Sequence, residues 1–165
     1  YFYCAMQRPP SGAKEALREL TPYGIKSLEQ LADFFKNKRL IKVAEIRHSP
    51  WVRASQTARH FKKLTDIKAE TREVPLLDPF ADFRILADIV ASADENLLLV
   101  GHQPNLSMLA SYLLTRESRL DLLNIKNLPF KKIFHFASKY TFANSPTNKP
   151  INPAQTYLIV GSNTI

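Results

Sequence analysis

The chain has little cysteine, no long apolar run and, over its last quarter, no acid. Cys4 is the one cysteine among 165 residues, so no internal disulfide can form, and a reducing compartment is expected. It stands in an apolar stretch, which fits a buried, inert thiol better than a reactive one. One cysteine and four scattered histidines make no zinc-ligand pattern, so no metal is expected, and no other cofactor either. No run of about 18 apolar residues occurs, which predicts no transmembrane helix and no membrane partner. No secretory-signal pattern opens the chain, and a cytoplasmic location is expected. Internal repeats and low-complexity segments are absent as well. Beyond Asp121 there is neither Asp nor Glu, while Lys126, Lys131, Lys132, Lys139 and Lys149 follow, so that segment carries +5 of the net +8. Such a field favours anionic partners, whether phosphorylated protein, nucleic acid or an acidic surface. The plainer reading is a solvated basic face.

What is present reads as a globular domain. The length suits one domain, 1–165, with a full core, and 45% hydrophobic with 23% charged residues is ordinary for such a domain. Phe2 to Met6 reads as a short buried strand, and Gln7 to Glu19 as a loop with Pro9-Pro10-Ser11-Gly12 as its turn. Thr21-Pro22 marks a helix start, with threonine as cap and proline in the first turn. Ile25, Leu28, Leu31, Ala32 and Phe35 continue it at helical spacing to about Asn37. Ile41 to Ile46 is predicted as a strand. Ser49-Pro50 opens a helix that runs to about Leu64, with Ala54, Ala58 and Phe61 on one face. A short strand from Ala69 to Val74, a loop at Leu76-Leu77-Asp78-Pro79 and a helix ending near Ala93 follow. Leu97 to Val100 is apolar without alternation, as in a strand covered on both faces, and Leu106 to Leu114 is helical. Residues from Ile133 to Phe142 and from Thr156 to Val160 are strand-like, separated by the Asn- and Pro-rich loop Ala143 to Pro153. Strands alternating with helices predict an α/β fold, a three-layer α/β/α sandwich. Its sheet is expected to be mainly parallel, with some antiparallel strands near the C-terminus.

Two strand ends carry the chemistry. Gly101-His102-Gln103-Pro104 follows the buried strand and precedes a helix, a junction that α/β proteins use for binding and catalysis. Ser49-Pro50-Trp51-Val52-Arg53 forms a similar junction upstream. Arg53, one helical turn past Ser49, can fold back toward the helix start, where its guanidinium binds phosphate oxygens in a bidentate way. The amides of the helix start face the same space. His102 serves the same anion if protonated, or acid–base work if neutral. Taken alone, Arg53 reads as a surface ion pair and His102 as a hydrogen-bonded strand-end residue. The two contexts together indicate an anion site, best suited to a phosphoryl group.

Ser49-Pro50-x-x-Arg53-Ala54-x-Gln56-Thr57-Ala58, followed by Val100-Gly101-His102-Gln103-Pro104, resembles the histidine phosphatase superfamily, whose fold is phosphoglycerate mutase-like. The short length and the Leu20-Thr21-Pro22-x-Gly24 helix start are most similar to the small SixA-like phosphohistidine phosphatases. The resemblance spans residues 2 to about 115. It implies a first strand ending in Arg-His-Gly, whose histidine attacks phosphorus and carries the phosphoryl group covalently. It also implies that Arg53 and His102 bind phosphoryl oxygens. Aligned on the strand Phe2-Tyr3-Cys4-Ala5-Met6-Gln7-Arg8, Met6 stands at the family arginine and Gln7 at the nucleophilic histidine.

A glutamine amide nitrogen has no available lone pair and cannot form a phosphoramidate, and methionine removes a cation facing the phosphate. Arg8 is a candidate to restore that charge. No shift of register restores the histidine, because the first in the chain is His48. Arg47-His48-Ser49 imitates the missing motif, but the residues that follow it place it in the second motif, so His48 is expected at the pocket rim making hydrogen bonds, with a substitute nucleophile as the less favoured reading. A general acid is implied in the loop after the third strand, where Asp78 and Asp82 are the candidates; their plainer readings are a turn residue and a helix cap. His60 reads as exposed and His135 as structural. The expected function is therefore a phosphate-binding SixA-like domain, expected to be a monomer, with catalysis impaired or absent. Two alternatives stand beside it: a phosphoprotein phosphatase with an atypical nucleophile, and a basic nucleic-acid or protein-binding module on the same fold. No RNA-binding aromatic motif or DNA-binding helix pair supports a nucleic-acid partner.

Overall fold

The computed structural model describes residues 15–38, 43–115 and 158–161. Its elements in chain order are α1 (Pro22–Lys38), β1 (Glu45–His48), α2 (Val52–Thr65), β2 (Glu70–Glu73), a 3-10 turn (Pro75–Leu77), α3 (Phe83–Ala91), β3 (Leu97–Gly101), α4 (Asn105–Thr115) and β4 (Leu158–Gly161). The four strands form one sheet in the order β2-β1-β3-β4, and every pairing is parallel.

Side-chain alternation along β3 explains the layers. Leu98 and Val100 join Ile46 of β1 and the apolar faces of α1 and α2, where Leu28, Leu31, Phe35, Ala54, Ala58 and Phe61 are buried. Leu97 and Leu99 point the other way, into a second core with Phe83, Leu86 and Val90 of α3 and Leu106 and Leu109 of α4. A strand with apolar groups on both faces needs helices on both faces, which gives the α/β/α sandwich. Phe35 and Phe61 meet edge to face at 5.7 Å and join α1 to α2. At the opposite extreme, β2 is exposed at every residue, and its charged side chains Glu70, Arg72 and Glu73 suit a sheet edge.

The antiparallel strands expected near the C-terminus are corrected by β4, which runs parallel to β3 with Leu98 opposite Leu158 and Gly101 opposite Gly161. An apolar run encodes burial but not direction, and the long connection before β4 has room for the crossover that a parallel pair requires. Ile133 to Phe142 lies outside the described residues, as do Phe2 to Met6. The strand expected over 41–46 forms instead at Glu45–His48. Ala44 makes its backbone bond to Asn96 O at 3.0 Å, and the ladder begins after it. Within the expected loop 7–19, Glu15 and Ala16 are helical. Pro75–Leu77 adds a 3-10 turn to the expected loop, and α3 ends at Ala91, where the Ser92 amide bonds to Asp88 O.

Thr21 caps α1 as expected: its hydroxyl accepts from Gly24 N at 3.1 Å, with Pro22 in the first helical position. Asp82 caps α3, accepting from Arg84 N at 2.9 Å. By contrast, α2 begins at Val52, later than Ser49-Pro50 suggests, and its cap residue Trp51 makes no side-chain cap bond. The Ser49 hydroxyl accepts from the Trp51 amide at 3.3 Å, just ahead of the helix. At the other end of α2, Asp66 adopts φ 55°. The exposed Lys68 ammonium, 2.6 Å from its carboxylate, holds the Asp66 carboxyl below its ordinary range by hydrogen bonding and charge.

Gly101 packs closely against the Pro75–Leu77 turn. A Cβ there would stand 3.0 Å from the Leu77 carbonyl oxygen and 3.3 Å from Leu77 Cδ2. Gly101→Ala is therefore expected to displace the Pro75–Leu77 turn and to lower stability by about 1–3 kcal/mol, read as a shift in the denaturant midpoint with the slope unchanged.

Candidate functional site

Parallel pairing brings the C-terminal ends of β1 and β3 side by side, with His48 opposite Val100. Ser49 extends the ladder by donating its amide to Val100 O at 2.9 Å. One residue beyond each strand end, the two side chains meet: His102 Nε2 lies 2.9 Å from Ser49 Oγ. Both residues are buried. The same hydroxyl accepts from Trp51 N at 3.3 Å. Ser49 therefore joins the imidazole to the turn that leads into α2.

Trp51 is the platform of the site. Its ring centroid lies 4.6 Å from that of His102, and the Arg53 guanidinium carbon sits 4.5 Å from the indole centroid, a cation–π distance. The structure thus brings Arg53 and His102 against one indole. Arg53 is buried at 7% exposure. Its Nη1 donates to the Glu15 carbonyl at 2.8 Å and lies 3.3 Å from the Glu15 carboxylate. Gln56, in the same motif, accepts from Leu20 N at 2.7 Å. The segment from Glu15 to Leu20 is thereby held along α2.

Asp78 lies behind the indole: its Oδ2 accepts from Trp51 Nε1 at 2.7 Å, and its Oδ1 accepts from Phe80 N at 3.0 Å. Both carboxylate oxygens have partners, and Trp51 is in contact with both Asp78 and His102. Asp82 is the exposed cap of α3. His48 is buried rather than rim-exposed; it shares the face of Ile46, and its Nδ1 donates to the Ser49 carbonyl at 2.8 Å. The parity of β1 explains this, since residues two apart along a strand face the same way. His60 is exposed on α2. Met6, Gln7, Arg8 and His135 lie outside the described residues.

Two contributors escaped the sequence reading. Asn105, 1% exposed at the start of α4, directs its amide group at three carbonyls, those of Leu76 (3.0 Å), Asp78 (2.6 Å) and Ala81 (3.3 Å). It ties the loop bearing Asp78 to the end of β3. Glu15, the other, stands in a segment with no motif. An asparagine at a helix start after a strand was the one available signal for the first, and nothing local marked the second.

No protein-family model and no curated protein matches the sequence. Solved structures do. The protein histidine phosphatase SixA complexed with tungstate superposes with a TM-score of 0.58 at 20% identity, covering 66% of this chain and 72% of that one. The fold is that of the SixA-like histidine phosphatases. A putative phosphohistidine phosphatase SixA from Agrobacterium tumefaciens gives 0.53 at 19% identity, over 65% of this chain and 67% of that one. A putative SixA from Nakamurella multipartitia gives 0.50 at 24%, over 63% and 59%. No helix among the described residues is long and apolar enough to cross a membrane.

Proposed function

We propose that this chain is a SixA-like domain that binds a phosphoryl group, free or on a protein, and hydrolyses it weakly or not at all. The observation that carries the reading is the placement of Arg53 and His102 against Trp51, at the ends of two adjacent parallel strands. A guanidinium and an imidazole packed on one indole beside a helix start suit the oxygens of a phosphoryl group. Loss of hydrolysis follows from Met6 and Gln7 at the positions where the family it resembles carries arginine and histidine. The remaining groups stabilise an anion without supplying an attacking atom.

Trp51 is the only tryptophan, so its emission reports on the site directly. Titration with inorganic phosphate or tungstate is expected to give a saturable change in that emission. A phosphohistidine protein and an aryl phosphate are expected to show no turnover above background. Turnover by the unaltered chain would overturn the impaired-enzyme reading in favour of an atypical nucleophile. The contact of Ser49 Oγ with His102 at 2.9 Å is the observation that favours this second reading, since an imidazole at that distance can take a hydroxyl proton. Salt-sensitive binding of DNA or RNA with no response to phosphate would instead favour a basic nucleic-acid module.

A further inference from the structure

The Glu15 carboxylate sits between two guanidiniums. Arg18 Nη1 donates to both of its oxygens, at 3.2 Å to Oε1 and 3.1 Å to Oε2, and Arg53 Nη1 lies 3.3 Å from the same Oε1. The three side chains grade from buried to exposed: 8% for Arg53, 20% for Glu15 and 48% for Arg18. An exposed Glu–Arg pair one turn apart is commonplace and worth little. Here the carboxylate also engages a buried arginine that is already laid on Trp51 and bonded to the Glu15 carbonyl. The bond from Leu20 N to Gln56 holds the following chain against α2, so Arg18 stays near Arg53.

We infer that the Glu15 carboxylate occupies the place of an oxyanion, and that an incoming phosphoryl group replaces it and takes Arg18 as a second cation. The inference rests on the proposed phosphoryl-binding role of Arg53. A carboxylate and a phosphoryl group present oxygens of the same charge to a guanidinium fork, so the two compete for Arg53. Arg18 gains most from the exchange, because it is exposed enough to turn with the ligand. Glu15 then sets a threshold: weakly held or singly charged anions fail to displace it, and a dianionic phosphoryl group succeeds. Monoanions such as nitrate are expected to bind poorly to the unaltered chain for this reason.

The test uses the full chain and inorganic phosphate, followed by calorimetry and Trp51 emission at fixed ionic strength. Glu15→Gln keeps the shape and the backbone carbonyl but removes the competing charge, and is expected to tighten phosphate binding about tenfold. Arg18→Ala in the Glu15→Gln background is expected to reverse that gain, and Arg18→Lys to restore part of it. Circular dichroism and the unfolding midpoint of each variant confirm that folding is retained. If the parent chain binds phosphate and Glu15→Gln binds it no more tightly, the inference is overturned while the binding reading stands. If Arg18→Ala leaves the Glu15→Gln affinity unchanged, Arg18 is not a ligand and the inference fails in that part. If neither the parent nor Glu15→Gln binds phosphate, both the inference and the reading on which it rests are overturned.

Discussion

A Met6→Arg, Gln7→His double variant is expected to hydrolyse a phosphohistidine protein and an aryl phosphate where the parent chain does not. Imidazole nitrogen carries an in-plane lone pair that can attack phosphorus, whereas the glutamine nitrogen shares its pair with the carbonyl. Removing an enzyme nucleophile commonly costs about 10⁴-fold or more in rate, so restoring one to an intact pocket is expected to return a gain of that order. Gln7→His alone is expected to fall short of the double variant. Without the arginine, charge developing on the phosphoryl oxygens has one guanidinium fewer, and such a cation is worth about 10³-fold or more in phosphoryl transfer. A phosphoramidate trapped on residue 7, stable to base and labile to acid, would identify the new nucleophile. No gain from the double variant would mean that the pocket has departed from the histidine phosphatases in more than two residues.

Much of the frame behind this expectation was legible in the sequence because it depends on burial. The unbroken apolar run Leu97 to Val100 demanded cover on both faces, and the two cores on either side of β3 supply it. Thr21-Pro22 and Asp82 acted as local capping signals and were read correctly. Arg53 and His102 were legible because each follows a strand within a recognisable motif. What was not legible depends on partners distant in sequence. Ser49 had the right chemistry to cap α2 and bonds the Trp51 amide, but its hydroxyl is shared with a histidine 53 positions away. The direction of β4 is set by how the chain crosses over, and its apolar residues would suit either direction. Asp78 could be placed near the site, but only the structure shows that it accepts from the indole that also packs on His102.

Trp51 links these observations. A small hydrophobic residue at that position would satisfy the helix start equally well. The indole adds a surface for both Arg53 and His102 and a donor for Asp78, so one side chain orients three others. Rigid support of this kind favours binding because fewer rotamers are lost when the ligand arrives.

Arg53→Ala is expected to abolish that site. Truncating one member of a buried, hydrogen-bonded charge pair commonly costs about 2–5 kcal/mol in binding, so phosphate affinity is expected to fall by roughly 30-fold or more. Stability is expected to fall less, by about 1–2 kcal/mol, because Glu15 keeps Arg18 as a partner and is partly solvated. Arg53→Lys separates charge from shape. Lysine retains the positive charge but has no planar fork to lie on the indole while bonding the Glu15 carbonyl and a ligand oxygen together. Its affinity is expected to lie between those of Arg53→Ala and the parent, and its Trp51 emission to differ from the parent's before any ligand is added. Calorimetry on the three proteins, with their unfolding midpoints, checks the order. Parental affinity in Arg53→Ala would remove Arg53 from the site and, with it, the reason for placing a phosphoryl group at the ends of β1 and β3.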